Sequence, residues 1–142
     1  MNPKPLIVWD FDDVLFPLTE AWLKASGRTM QSRIVQYEQF TENPPNKIMG
    51  IPLSEYLESL DAFRLSPEAQ TIEPKKVILN WFAIYGSAYR NEVLTARPLH
   101  TVTAAKSWLA IHFPNYFQGF GVVPAARPGV DVSGYPQTKR AF

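Results

Sequence analysis

Leu6-Ile7-Val8-Trp9 runs directly into Asp10-Phe11-Asp12-Asp13, and Val14-Leu15 follows. A short unbroken apolar run is the pattern of a strand buried on both faces, as in a parallel sheet. Ending such a strand in carboxylates is costly in desolvation unless the acids sit in a cleft and hold a cation. Open α/β sheets keep their ligand sites beyond the carboxyl ends of the strands, which is where this cluster falls. Asp10 and Asp12 are two positions apart, so a turn there directs both towards one site. The competing reading is a strand that simply stops in an acidic turn.

The remaining pattern supplies partners for that strand. Pro17 opens a helical stretch in which Leu18, Ala21, Trp22 and Ala25 recur at helical spacing, ending near Gly27. Residues 28–50 are mixed, with breakers at Asn43-Pro44-Pro45-Asn46 and at Gly50. A second helix is predicted from Pro52, carrying Leu53, Leu57, Leu60 and Phe63. A third begins at Pro74 with Ile78, Trp81, Phe82 and Tyr85 on one face, and Gly86 lies just past its end. Glu92-Val93-Leu94-Thr95 reads as a strand ending at a hydroxyl, broken by Pro98. A fourth helix carries Val102, Ala105, Leu109 and Phe113. Phe120-Gly121-Val122-Val123 is the third strand, closed by Pro124. A Pro- and Gly-rich loop runs to Gln137, and residues 138–142 look like the opening of a helix.

Strand, helices, strand, helix, strand is the alternation of an α/β fold with a parallel sheet and right-handed crossovers. Asp10 and Thr95 are 85 positions apart (95 minus 10), more than one crossover helix needs. The surplus implies a helical subdomain of roughly 60 residues over the strand ends. The expected division is a Rossmann-like α/β core over 1–16 and 87–142, with a helical cap over 17–86.

Composition narrows the function classes. The 142 residues are 46% hydrophobic and 13% aromatic, enough for a packed core, and the net charge of +1 gives no case for nucleic acid or an anionic membrane surface. The absence of cysteine excludes disulfides and thiolate metal sites and suits a cytoplasmic protein. The first apolar run is too short for a signal peptide or a membrane span.

These pieces resemble the haloacid dehalogenase (HAD) superfamily of phosphotransferases. Asp10-Phe11-Asp12-Asp13-Val14 is similar to its first motif, a strand followed by Asp-x-Asp-x-Thr/Val. Leu94-Thr95 is similar to the second, and Lys139 is the candidate for the third-motif lysine. The helical stretch between the first two motifs looks like the family's cap. Val14-Leu15 and Thr95-Ala96-Arg97-Pro98 look most like the nucleotidase branch, including its deoxyribonucleotidase-like members. The family's fourth motif, which completes a magnesium site, has no counterpart before Phe142, so the sequence reads as a truncated or a degenerate member. Asp131 is the stand-in ligand considered for it.

The resemblance implies a Mg2+-dependent phosphatase acting on a small phosphomonoester, with a nucleoside monophosphate as the first expectation. Asp10 would be the nucleophile, forming an aspartyl-phosphate. Asp12 would be the general acid and then the base. Thr95 would donate to a phosphoryl oxygen and Lys139 would set a charge beside it. Mg2+ would be held by the Asp10 side chain and the Asp12 backbone carbonyl. Backbone amides around Phe11 and Ala96 are further phosphate donors. Arg97 either contacts substrate or is tied to a nearby acid, and Lys139 either serves the site or is a solvated helix-start lysine. Asp13 is expected to cap the following turn or helix. His100 and His112 are expected to be structural. Trp22, Tyr37, Phe40, Tyr56, Trp81, Phe82 and Tyr85 are read as mainly core, with a nucleobase stacking on one or two as the alternative.

Two other readings compete. One is a catalytically silent relative used in binding or assembly, in which an exposed sheet edge calls for a second copy or another partner. The other, a response-regulator receiver, needs a phosphoacceptor aspartate at the end of a second strand, and residues 30–70 offer none.

Overall fold

The computed structural model describes residues 2–26 and 37–141. Three strands, β1 (Leu6–Trp9), β2 (Arg90–Thr95) and β3 (Phe117–Val122), form one sheet in the order β1-β2-β3, all parallel. Between β1 and β2 lie α1 (Leu18–Ser26), α2 (Asn46–Met49), α3 (Leu53–Arg64), α4 (Pro67–Gln70) and α5 (Lys76–Tyr85); α6 (Val102–His112) links β2 to β3. This is a mixed α/β architecture, as the alternation of elements requires. Among the described residues no helix is long and apolar enough to cross a membrane.

Ring contacts place α5 and the end of α6 on one face of the sheet. There Phe82 of α5 touches Trp9 at 5.0 Å between ring centroids, Phe113 at 5.0 Å and Phe117 at 5.3 Å. Gly86, just past α5, is a packing requirement: a Cβ there would sit 2.8 Å from the Tyr116 ring. Asn91 of β2, fully buried, accepts from Trp9 Nε1 at 3.0 Å and donates to the Gly86 carbonyl at 2.9 Å.

The other face corrects one expectation. β1 is not buried on both sides: Leu6 and Val8 point outward at 43% and 53% exposure. β1 is an edge strand and the described helices α5 and α6 cover only the Trp9 side, so a run that reads as fully buried is half-buried. β3 also begins three residues earlier than expected. Its register slips between the pairs Asn91–Phe117 and Glu92–Gly119, which leaves Gln118 as an extra residue and breaks the alternation a strand normally shows. α2, with Gly50 in the left-handed region at its end, and α4, capped by Ser66 with Pro67 at its start, were not anticipated. The expected helix at 138–142 is a single 3-10 turn, Lys139–Ala141.

A second aromatic cluster joins α6 to the turn after β1. Trp108 meets Phe11 at 5.5 Å and Phe16 at 5.0 Å, both edge to face, and donates Nε1 to the Ile72 carbonyl at 2.7 Å. Trp108→Ala removes a side chain only 1% exposed and orphans that carbonyl. The expected loss is about 4 kcal/mol, read as a lower urea midpoint at unchanged slope.

Candidate active site

The turn after β1 is tightly determined. The Phe11 carbonyl accepts from the amides of Val14, Leu15 and Phe16, and the Asp13 amide donates to the Phe16 carbonyl at 2.7 Å. Asp13 takes up a left-handed φ of 63°, which aspartate tolerates better than most residues. Its carboxylate accepts from the Thr19 amide at 2.8 Å and from the Thr19 hydroxyl, so it caps the start of α1 as expected.

Asp10 follows the last residue of β1, and Thr95 ends β2 beside it. The pairing Trp9–Val93 sets Asp10 level with Leu94, one residue short of Thr95. Lys139 reaches back across 129 positions, and its Nζ lies 3.0 Å from Asp10 Oδ1. The Phe11 amide donates to that same oxygen at 2.9 Å. Oδ2 has no hydrogen-bond partner among the described residues, and the side chain is 49% exposed. One oxygen is therefore anchored and the other faces solvent. Lys139 is thus placed against Asp10 in a half-exposed ion pair.

Thr95 is buried at 1% exposure, and its Oγ1 accepts from the Arg97 amide at 3.2 Å. Its hydroxyl proton has no acceptor among the described residues. Ala96 is exposed at the strand end, with its carbonyl accepting from the Ala125 amide. The Phe11 amide is committed to Asp10, so of the two expected backbone donors that one is already engaged.

Asp12 goes elsewhere. Arg64 Nη2 lies 3.1 Å from its Oδ2, Arg97 Nε 3.4 Å from the same oxygen, and Arg97 Nη2 3.3 Å from Oδ1. Arg97 is tied to a nearby acid, the second of the two alternatives. Its guanidinium is 3% exposed, stacks over Phe11 and donates to the Thr101 carbonyl. Burial draws its pKa below the ordinary arginine value, opposed by the Asp12 carboxylate. Asp10 and Asp12 thus have different partners: a lysine for Asp10, two arginines for Asp12.

Three residues of this network escaped the sequence reading. Asp61 and Arg64, both on α3, pair at 2.7 Å, and Arg127, from the loop after β3, contacts Asp61 at 2.8 Å. Burial raises the Asp61 pKa, but the hydrogen bonds from Arg127 and Arg64 outweigh it and hold the carboxyl below its usual range. The available signal was spacing: Leu57, Asp61 and Arg64 lie at i, i+4 and i+7, so the two charges continue an apolar helical stripe. Arg64 Nε is buried without a partner. His100 lies 3.9 Å from Asp61, and His112 stacks on Trp108.

A divalent cation finds a small donor set here. Among the described residues no three acidic, imidazole or thiol groups gather to hold a metal ion. Asp131 is exposed and closes its own turn on the Ser133 amide. The Asp10 carboxylate still suits Mg2+, which is often held by one or two carboxylates, with water and substrate phosphate completing its shell. Comparison of the chain with family models, with curated proteins and with solved structures finds no match.

Proposed function

We propose that the chain is a HAD-type phosphohydrolase that cleaves a small phosphomonoester through Asp10. The observation that carries this reading is Lys139 Nζ at 3.0 Å from Asp10 Oδ1, with Thr95 at the adjoining strand end. An anchored carboxylate with one open oxygen, a cation on its other oxygen and a neighbouring hydroxyl with an unclaimed proton is the equipment phosphoryl transfer needs.

In this mechanism Asp10 Oδ2 attacks phosphorus as the ester P–O bond breaks, and the leaving oxygen takes a proton from Asp12. Water then attacks phosphorus, Asp12 takes its proton, and inorganic phosphate leaves with Asp10 restored. Lys139 fixes the Asp10 carboxylate and offsets phosphoryl charge, while Thr95 donates to a phosphoryl oxygen. The Asp10 side chain and the Asp12 backbone carbonyl would hold Mg2+, which would supply the charge that lets two anions meet. For Asp12 to carry a proton it must surrender a guanidinium. Arg64, borne by α3 within the segment 17–86 that we read as a cap, is the partner a cap movement would withdraw. The lack of cysteine suits a reducing, cytoplasmic setting.

The arginine clamp on Asp12 also favours a second reading, a silent relative whose first motif serves only structure. The outward Leu6 and Val8 edge would then receive a second copy or another partner. Hydrolysis of p-nitrophenyl phosphate separates the two. The enzyme reading expects turnover with Mg2+ that EDTA removes and added Mg2+ restores. No turnover in either condition from a folded chain sinks it and leaves the silent reading.

A further inference from the structure

Between the Asp13 turn and the segment 37–45 lies a cavity of about 440 Å3. Its walls are aromatic. Tyr37 and Phe40 meet edge to face with centroids 6.2 Å apart, and Tyr56 contributes a ring that is 4% exposed. The charge on its described lining residues is of one sign, from Asp13, Glu38 and Glu42, while Arg64 and Arg127 act on Tyr56 from the arginine cluster. Both Asp13 oxygens are occupied by Thr19, so Asp13 supplies field rather than contact. Glu38 and Glu42 are exposed.

Exposed carboxylates alone are ordinary solvated surface. Here they accompany an aromatic enclosure and a phenol that is more than nine-tenths buried, with no hydrogen-bond partner for its hydroxyl among the described residues. Burial pushes the Tyr56 pKa above its ordinary value, so the hydroxyl stays a neutral donor. Aromatic faces attract organic ammonium groups through the ring quadrupole, and surrounding carboxylates add to that attraction.

We propose that this cavity binds a small organic ammonium group, with Tyr37, Phe40 and Tyr56 as walls and Glu38 and Glu42 as the compensating charge. Resting on the phosphohydrolase reading, the substrate class is the phosphomonoester of an amino alcohol. On the phosphohydrolase reading the cavity, lined by Asp13 three positions along the chain from Asp10, is assigned the leaving-group end. A nucleoside monophosphate would set a neutral base among three carboxylates and forgo that attraction.

Titration of the full chain with choline chloride, against matched sodium chloride, tests the site without turnover. Calorimetry and tryptophan fluorescence both read it, since the Trp22 ring lies 5.3 Å from Tyr56. Saturable choline binding is expected, with the neutral isostere 3,3-dimethylbutan-1-ol at least about tenfold weaker. Glu38→Gln with Glu42→Gln, both at exposed positions, should weaken choline at least about fivefold. No saturable binding, equal affinity for the isostere, or an unaltered Kd in the double variant overturns the proposal. In turnover, the KM for phosphocholine relative to that for p-nitrophenyl phosphate should rise at least about fivefold in the double variant. A wild-type preference for a nucleoside monophosphate over phosphocholine overturns the substrate assignment. Choline binding without hydrolysis of any phosphomonoester keeps the ammonium site and removes the phosphohydrolase reading. Hydrolysis without choline binding does the reverse.

Discussion

Asp10→Asn is expected to lower kcat on p-nitrophenyl phosphate by at least about 10^3-fold while leaving the fold intact. An amide cannot attack phosphorus as a carboxylate does, whereas it matches the carboxylate in size and keeps an oxygen to accept from the Phe11 amide. The substitution also removes the Lys139 ion pair, but that pair is half-exposed on both sides and exposed pairs contribute little to stability. Thermal unfolding should therefore move little, and the separation of activity from stability is the informative result. Residual kcat within tenfold of wild type, in a chain that melts normally, would assign the nucleophile elsewhere and strip Lys139 of its role. Loss of activity together with the fold would point to a structural Asp10 instead.

The parts of the fold that were legible in sequence are those set by local pattern. The apolar run into Asp10, the hydroxyl ending β2 and the periodic face of α6 each depend on residues a few positions apart. Asp13 as a cap was legible for the same reason, because capping chemistry is local. The misread parts depend on which surfaces meet. Leu6 and Val8 are as apolar as Ile7, and only the placement of α5 and α6 on one face decides which of them is covered. The start of β3 was hidden by Gln118, whose insertion interrupts the alternation that marks a strand. In the site, Lys139 was nameable only through the resemblance, since nothing within 129 positions of sequence ties it to Asp10. Arg127 lies in a loop with no motif, and its pairing with Asp61 exists only after the strand ends converge. Asp12 was read for its chemistry alone, and its two arginines come from segments 52 and 85 positions away.

Asp61→Asn is expected to destabilise the chain by about 3 kcal/mol near neutral pH, the largest stability effect of any single charge in the network. Asp61 is 8% exposed and lies between Arg64 and Arg127. Neutralising it leaves Arg64, Arg97 and Arg127 with Asp12 as their remaining carboxylate in the cluster, and Arg64 already carries one buried donor without an acceptor. Removing one partner of a buried pair costs more than the pair contributes, because the stranded charge keeps its desolvation penalty. The sign of the pH dependence follows from the folded carboxyl titrating below its unfolded value. The stabilisation is fully present above about pH 4 and is lost as pH falls through the folded pKa. Urea unfolding of wild type and Asp61→Asn should thus show a constant gap from pH 7 down to about pH 5 and a closing gap in stronger acid. Added salt should leave most of that gap in place, since partly buried pairs are screened weakly. A gap below about 1 kcal/mol at pH 7 would mean the cluster behaves as a surface network. Helix α3 would then be held by its apolar residues alone, and Arg64 would have no anchored position from which to grip Asp12.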